Sequence, residues 1–239
     1  MDRKALKLCA RFALQPNLLG YCGRKSATAI FYDCIVNNRY DKVREELEKF
    51  IVLNPYLQTI AEIIGQDPYD FAVIEAYWLG NDLLSQIKPR HYTLLIQNLA
   101  KQGVPEFLIS EIKDKIPKEF IPIHLFNILH IGVGKASGSV PFNLDSINNC
   151  MVRWGRVKEI EKKDIALGIS KDDIRTKYNQ QTIKNQITNL KFKLVTVETV
   201  KLVQKNKHYQ LENSLETIPY LSELVGDLKA GDIITAHWG

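Results

Sequence analysis

A thiol and an imidazole stand at the two ends of the C-terminal part of this chain. Cys150 precedes an alternating apolar run, Val152 to Ile160, and His237 lies in the stretch Gly231-Asp232-Ile233-Ile234-Thr235-Ala236-His237-Trp238-Gly239. Cysteine sulfur and histidine nitrogen together suit soft and borderline metals. An imidazole near a thiol also lowers its pKa and makes it a nucleophile. Two protein ligands leave a metal open to exogenous groups, which suits a carrier better than a structural site. The plainer alternative is a small buried hydrophobe at a strand start and a hydrogen-bonded histidine on a terminal strand. Either way, the segment between the two must close on itself before they meet.

Other residues carry weaker signals. Cys22 sits in Gly20-Tyr21-Cys22-Gly23, where flanking glycines allow a tight turn near a helix N-terminus, a setting that lowers a thiol pKa. It serves equally well as a plug in a glycine-rich connection. Glu75 and Asn81 flank Tyr77 and Trp78 on an apolar helix face, so Glu75 is either a buried acid or a structural partner. Trp154 and Trp238 are expected to fill the core or rim of a barrel, with base stacking as the alternative. His124 and His130 are six apart, which does not place them on one helix face, and no metal pair is expected from them. Gly132-Val133-Gly134-Lys135 lacks the phosphate-loop spacing. No nucleophile elbow is present.

The elements that must position these groups change character along the chain. Residues 3 to about 130 read as helices. Ala5, Leu6, Cys9, Ala10, Phe12 and Ala13 recur at helical spacing, and Ser26 is a candidate N-cap for the helix through Ile30 and Cys34. Tyr40 to Leu53 reads as one amphipathic helix. Asn54-Pro55 and Asp67-Pro68 start two more, the first stopping at Gly65 and the second running through Phe71 to Leu84. Further helices are expected over 89–101 and 105–114. After Ile147 the pattern turns strand-like: residues 192–203 are rich in β-formers, a hairpin turn falls at Asn206-Lys207-His208, and Asp232–Trp238 reads as a last strand paired with the run after Cys150. Residues 170–189 look like an insertion. The expected class is α+β, with a helical domain over 1–140 and a small OB-like β-barrel over 141–239.

Composition narrows the function. The 239 residues are 45% hydrophobic and 25% charged, enough for a real core. A net charge of +5 comes from 32 basic and 27 acidic residues dispersed along the chain, so nucleic acid is not the expected partner. No apolar run reaches the roughly 18 residues of a membrane span, and the first residues form no signal-type apolar segment. The four cysteines show no C-x-x-C spacing. Free thiols and a cytoplasmic location are the expectation.

Two resemblances enter here. Phe12-Ala13-Leu14, Pro16-Asn17, Leu19-Gly20-Tyr21-Cys22-Gly23, Glu75-Ala76-Tyr77-Trp78, Gly80-Asn81 and the Gly231-Asp232…His237-Trp238 ending resemble an uncharacterised bacterial family whose N-terminal part is helical. Cys150, Gly155 and Val157, with Gly231, Asp232, His237 and Gly239, resemble the HypC-type hydrogenase-assembly chaperones. That second resemblance implies an OB-like barrel, a cysteine and a histidine that handle iron destined for nickel–iron hydrogenase, and a protein partner. The resulting expectation is a non-enzymatic accessory protein for a metal centre, with Cys150 and His237 as ligands and Tyr21, Cys22, Glu75, Asn81, Trp154 and Asp232 as binding residues. The alternatives are a thiol-dependent enzyme using Cys22 or Cys150, and an OB-like nucleic-acid binder.

Overall fold

The computed structural model describes residues 2–136, 140–161 and 192–238. These fall into two compact units, Met1–Val152 and Arg153–Gly239. The first is helical: α1 (Arg3–Leu18), α2 (Ala27–Asn37), α3 (Val43–Glu48), α4 (Leu53–Ile64), α5 (Phe71–Trp78), α6 (Tyr92–Gln102), α7 (Glu106–Ile112), α8 (His124–Asn127) and α9 (Leu144–Cys150). Two 3₁₀ turns, Asp82–Gln86 and Pro89–His91, join α5 to α6. A π-helical turn, Ile128–Gly132, continues α8. None of the described helices is long and apolar enough to cross a membrane.

Asp2 starts this unit twice over. One carboxylate oxygen accepts from Lys4 N and Ala5 N at 2.9 and 3.1 Å, capping α1. The other accepts from Phe71 N at 3.2 Å and so ties the start of α5 to that of α1. The core is built where α1 meets α2 and α5, and where α4 meets α6. Leu6, Phe31, Leu47, Tyr56, Ile60, Ile74, Tyr77 and Leu95 are fully enclosed there.

Several helix expectations need correction. Ser26 makes no side-chain cap bond and is itself helical. The single helix expected from Tyr40 to Leu53 is the short α3 followed by a turn, because Phe50 leaves the helical path to pack 6.0 Å from Phe31, centroid to centroid. The helix expected to run on to Leu84 stops at Trp78. Asn81 Oδ1 then accepts from Leu83 N at 3.1 Å and starts a 3₁₀ turn instead.

The largest local difference concerns Cys150. The strand-like pattern expected from Ile147 is a helix up to Cys150, and the strand begins at Arg153. Asn143 decides this: its side chain accepts from Ser146 N at 2.9 Å and caps α9. Cys150 is therefore the last residue of a helix, not the first of a strand.

The second unit is an antiparallel sheet of β1 (Arg153–Ile160), β2 (Lys193–Lys205), β3 (His208–Tyr220) and β4 (Ile233–Ala236), in the order β3-β2-β1-β4. A helical turn, α10 (Ser222–Val225), precedes β4. The expected pairing of the terminal strand holds, with Arg153 opposite Ala236 and Arg156 opposite Ile233. The hairpin turn is Asn206-Lys207, both left-handed at φ 49° and 65°, the backbone of a type I′ turn that matches strand twist. Val157, Val195, Val197 and Tyr220 form the core, with Ile160, Ile218, Leu228 and Ile234 against it. Gly155 is required for that packing, since a Cβ there would collide with Val197 Cγ1. Arg153, buried among these strands, pairs with Glu216 at 2.7 Å.

The expected closed barrel is not formed by the described strands. β3 and β4 are edges, and β4 is only four residues long, pairing with β1 alone. A barrel needs its two edges to meet. The insertion expected at 170–189 lies outside the described residues.

Candidate metal-ligand site

Three helix ends of the first unit converge on one imidazole. His124 opens α8, Cys150 closes α9, and Tyr77 and Trp78 close α5. Cys150 Sγ lies 3.7 Å from His124 Nε2. Two ligands of one tetrahedral ion, at about 2.3 Å for sulfur and 2.0–2.1 Å for nitrogen, stand roughly 3.5 Å apart. The observed separation is compatible with two neighbouring ligands of one ion and equally with a thiol–imidazole hydrogen bond. His124 and Cys150 are 7% and 6% exposed.

The opposite edge of the ring is held. Tyr77 Oη lies 2.8 Å from His124 Nδ1. Burial drives the Tyr77 pKa well above its ordinary value, so the phenol keeps its proton. The second ring nitrogen, Nε2, is 3.1 Å from the Cys150 carbonyl oxygen, which can only accept. One tautomer satisfies both contacts: Tyr77 O–H donates to Nδ1, and Nε2–H donates to the carbonyl. Trp78 flanks the ring at 4.5 Å between centroids and donates through Nε1 to Cys9 Sγ at 3.5 Å. Phe12 stacks on Trp78 at 4.8 Å. The imidazole is thus fixed by a hydrogen bond and an aromatic wall.

The other expected site residues have other surroundings. Cys150 and His237 belong to different units; His237 is buried, one residue beyond β4. Trp154 is 55% exposed on β1, and its carbonyl accepts from Thr199 Oγ1 at 2.8 Å. It does not fill a barrel core. Asp232 Oδ2 accepts from Lys229 N at 2.9 Å and shapes the turn before β4.

Tyr21 and Cys22 form the turn after α1, with Tyr21 N donating to Pro16 O at 2.8 Å and the Cys22 carbonyl accepting from Asn17 Nδ2 at 2.7 Å. Gly23 lets Phe50 approach, since a Cβ there would lie 2.5 Å from the Phe50 ring. Burial pushes the Cys22 thiol up to about 11, opposite to the lowered pKa expected of a reactive cysteine. Asn81 Nδ2 donates to Glu75 Oε2 at 2.9 Å and to Ala72 O at 2.8 Å, so Glu75 and Asn81 close the end of α5.

Two residues of the site, His124 and Tyr77, lie outside the ligand set that sequence patterns suggest. His124 is 26 positions from Cys150 and 47 from Tyr77, and no local spacing links such distant residues. The signal in the sequence is the polar-tipped aromatic pair Tyr77-Trp78 at the end of a largely apolar helix.

Residues 1–189 match a family of unknown function, DUF6390. The chain belongs to that family. The match spans the whole helical unit and β1, and therefore contains Tyr77, His124 and Cys150. No curated protein and no solved structure matches the chain. The HypC-type resemblance rests on the motif residues of the C-terminal part alone.

Proposed function

We propose that this protein of the DUF6390 family holds a metal ion for delivery to a partner protein, with His124 Nε2 and Cys150 Sγ as ligands. The observation that carries this reading is the 3.7 Å separation of those two atoms beside a hydrogen-bonded, wall-packed imidazole. His237 enters only as the ligand that the sequence motif suggests. Thiolate and imidazole donors suit Zn²⁺, Fe²⁺ or Co²⁺. Few protein ligands leave positions open for an exogenous group. Iron, and a nickel–iron hydrogenase as client, are the cargo and partner that the HypC-type resemblance adds to the proposal.

Cobalt tests it. Protein titrated with Co²⁺ should develop tetrahedral visible bands and a sulfur-to-cobalt charge-transfer band. Cys150→Ala should lose the charge-transfer band, and His124→Gln should weaken binding at least tenfold. Iron retention should fall in the same two variants. Wild-type protein that takes up neither Co²⁺ nor Fe²⁺, or a Cys150→Ala variant that binds as before, overturns the proposal.

The same pair favours a second reading. In the other tautomer, with the ring proton on Nδ1 and donated to the Tyr77 oxygen, Nε2 can take the proton of the thiol 3.7 Å away and leave a thiolate nucleophile. Rapid, stoichiometric alkylation of Cys150 at neutral pH, abolished by His124→Gln, would select this reading over metal holding.

A further inference from the structure

The other tyrosine–histidine pair of the helical unit lies on the wall of a cleft. We propose that this cleft, next to the π-helical turn, binds a small neutral molecule with an apolar body and one hydroxyl donor, held by His130 Nδ1. It is separate from the His124–Cys150 pair, and nothing in the proposed metal-holding role requires it. The cleft measures about 330 Å³ and is lined by Ile121, Ile123, Leu125, Phe126, Leu129 and His130, with Glu119 beside them. That volume is at the lower end of the range for small-molecule sites. Ile121, Leu125 and Leu129 are large apolar side chains left exposed there.

The acceptor follows from a chain of two short hydrogen bonds. Tyr92 O–H donates to the Ile112 carbonyl at 2.6 Å, which uses its single proton. His130 Nε2 lies 2.6 Å from the same phenol oxygen. The contact is attractive only if Nε2 carries the proton and donates, which leaves Nδ1 with its lone pair. Burial and the nearby Lys115 lower the His130 pKa and keep the ring neutral. Among the described residues no hydrogen bond to Nδ1 is present, and His130 is only half-buried.

The ring is also rigid. Phe126 stacks on it at 4.8 Å and 27°, and Phe120 meets Phe126 edge-on at 5.3 Å. Such π-helical turns recur at functional sites. Glu119 at the wall disfavours an anion, and the lone pair of a neutral His130 calls for a hydroxyl donor.

Phenol and toluene, nearly equal in shape, isolate the hydroxyl. Phenol titrated into the full-length protein should bind with saturation and move the ¹⁵N resonance of His130 Nδ1. Toluene should bind about fivefold or more weakly, the worth of one hydrogen bond. Leu129→Arg, a surface change that blocks the cleft, should abolish the phenol response, and His130→Phe should remove the preference for phenol. Equal binding of the two probes, an unmoved His130 at saturating phenol, or a normal response in Leu129→Arg overturns the proposal. None of these readouts uses a metal, so failure here leaves the His124–Cys150 reading standing, and the reverse.

Discussion

Tyr77 and His124 are joined edge to edge, Oη to Nδ1 at 2.8 Å, so that the imidazole turns its other nitrogen toward Cys150. Without metal, Tyr77 donates to Nδ1. A metal held on Nε2 would require the ring proton on Nδ1, where it would be donated to the phenol oxygen. Tyr77 would then accept, with Asn127 as its further hydrogen-bond partner. The phenol thus serves both tautomers.

Tyr77→Phe removes this support while keeping the ring that packs against Tyr56 at 5.7 Å. Metal affinity should fall about 10–100-fold, the usual cost of losing the group that orients a ligating histidine. The cobalt spectrum at saturation should keep its sulfur band, because both ligands remain. A Kd unchanged within twofold would show that Tyr77 contributes packing alone.

Gly155→Ala tests the close approach in the second unit. The new Cβ would strike Val197 Cγ1, in a core where Val197 is 2% exposed. Overpacking of this kind typically costs about 1–3 kcal/mol. Val197→Ala removes the clashing atom, so the double variant should recover stability relative to the sum of the two single losses. Purely additive losses in chemical denaturation would place the strain elsewhere.

That contact also marks where the sequence was readable. Alternating apolar residues announced β1, the terminal strand opposite it, and the hairpin at Asn206-Lys207, because strand pairing here follows a period of two and a turn chemistry that local sequence records. Cys150 ends a helix rather than starting a strand because one side chain, Asn143, outweighs the β-like texture of the residues after it. His124 carries no local signal, because its spacing to His130 is uninformative and its neighbours come from α5 and α9, far away in the chain. Closure of the sheet was expected from motif residues, and such residues mark strands and turns without specifying which edges meet.

The buried thiols should make stability fall in alkali. Burial raises Cys9 to about 12, and raises Cys22 and Cys34 to about 11 each. In an unfolded chain a thiol ionises near pH 8.5. The contribution of these groups is intact below that value and is lost as pH rises, since the unfolded state then releases protons that the folded state retains. Each thiol adds a slope of about 1.4 kcal/mol per pH unit between roughly pH 9 and 10. Urea unfolding across that window should show it, and Cys9→Ala should reduce the slope by one proton. At pH 7 about one Cys22 in 10⁴ is thiolate in the folded state, so iodoacetamide should label it slowly. Flat stability to pH 10, or fast labelling of Cys22, contradicts the burial account.

Asn81 and Glu75 are read as structural, and their variants separate that role from ligand binding. Asn81→Ala removes the acceptor for Leu83 N and the donor to Glu75 and Ala72 O. Losing a cap and leaving a half-buried carbonyl with one partner fewer should destabilise the helical unit by about 1–3 kcal/mol. Glu75→Gln keeps an oxygen that Asn81 Nδ2 can reach, so it should cost less than about 0.5 kcal/mol, within the range of ordinary surface changes. Metal affinity should be unchanged in Glu75→Gln, because Glu75 contributes no ligand to the pair at His124. A Glu75→Gln protein that unfolds normally but loses metal would make the carboxylate part of the site and overturn its assignment as the partner of Asn81 alone.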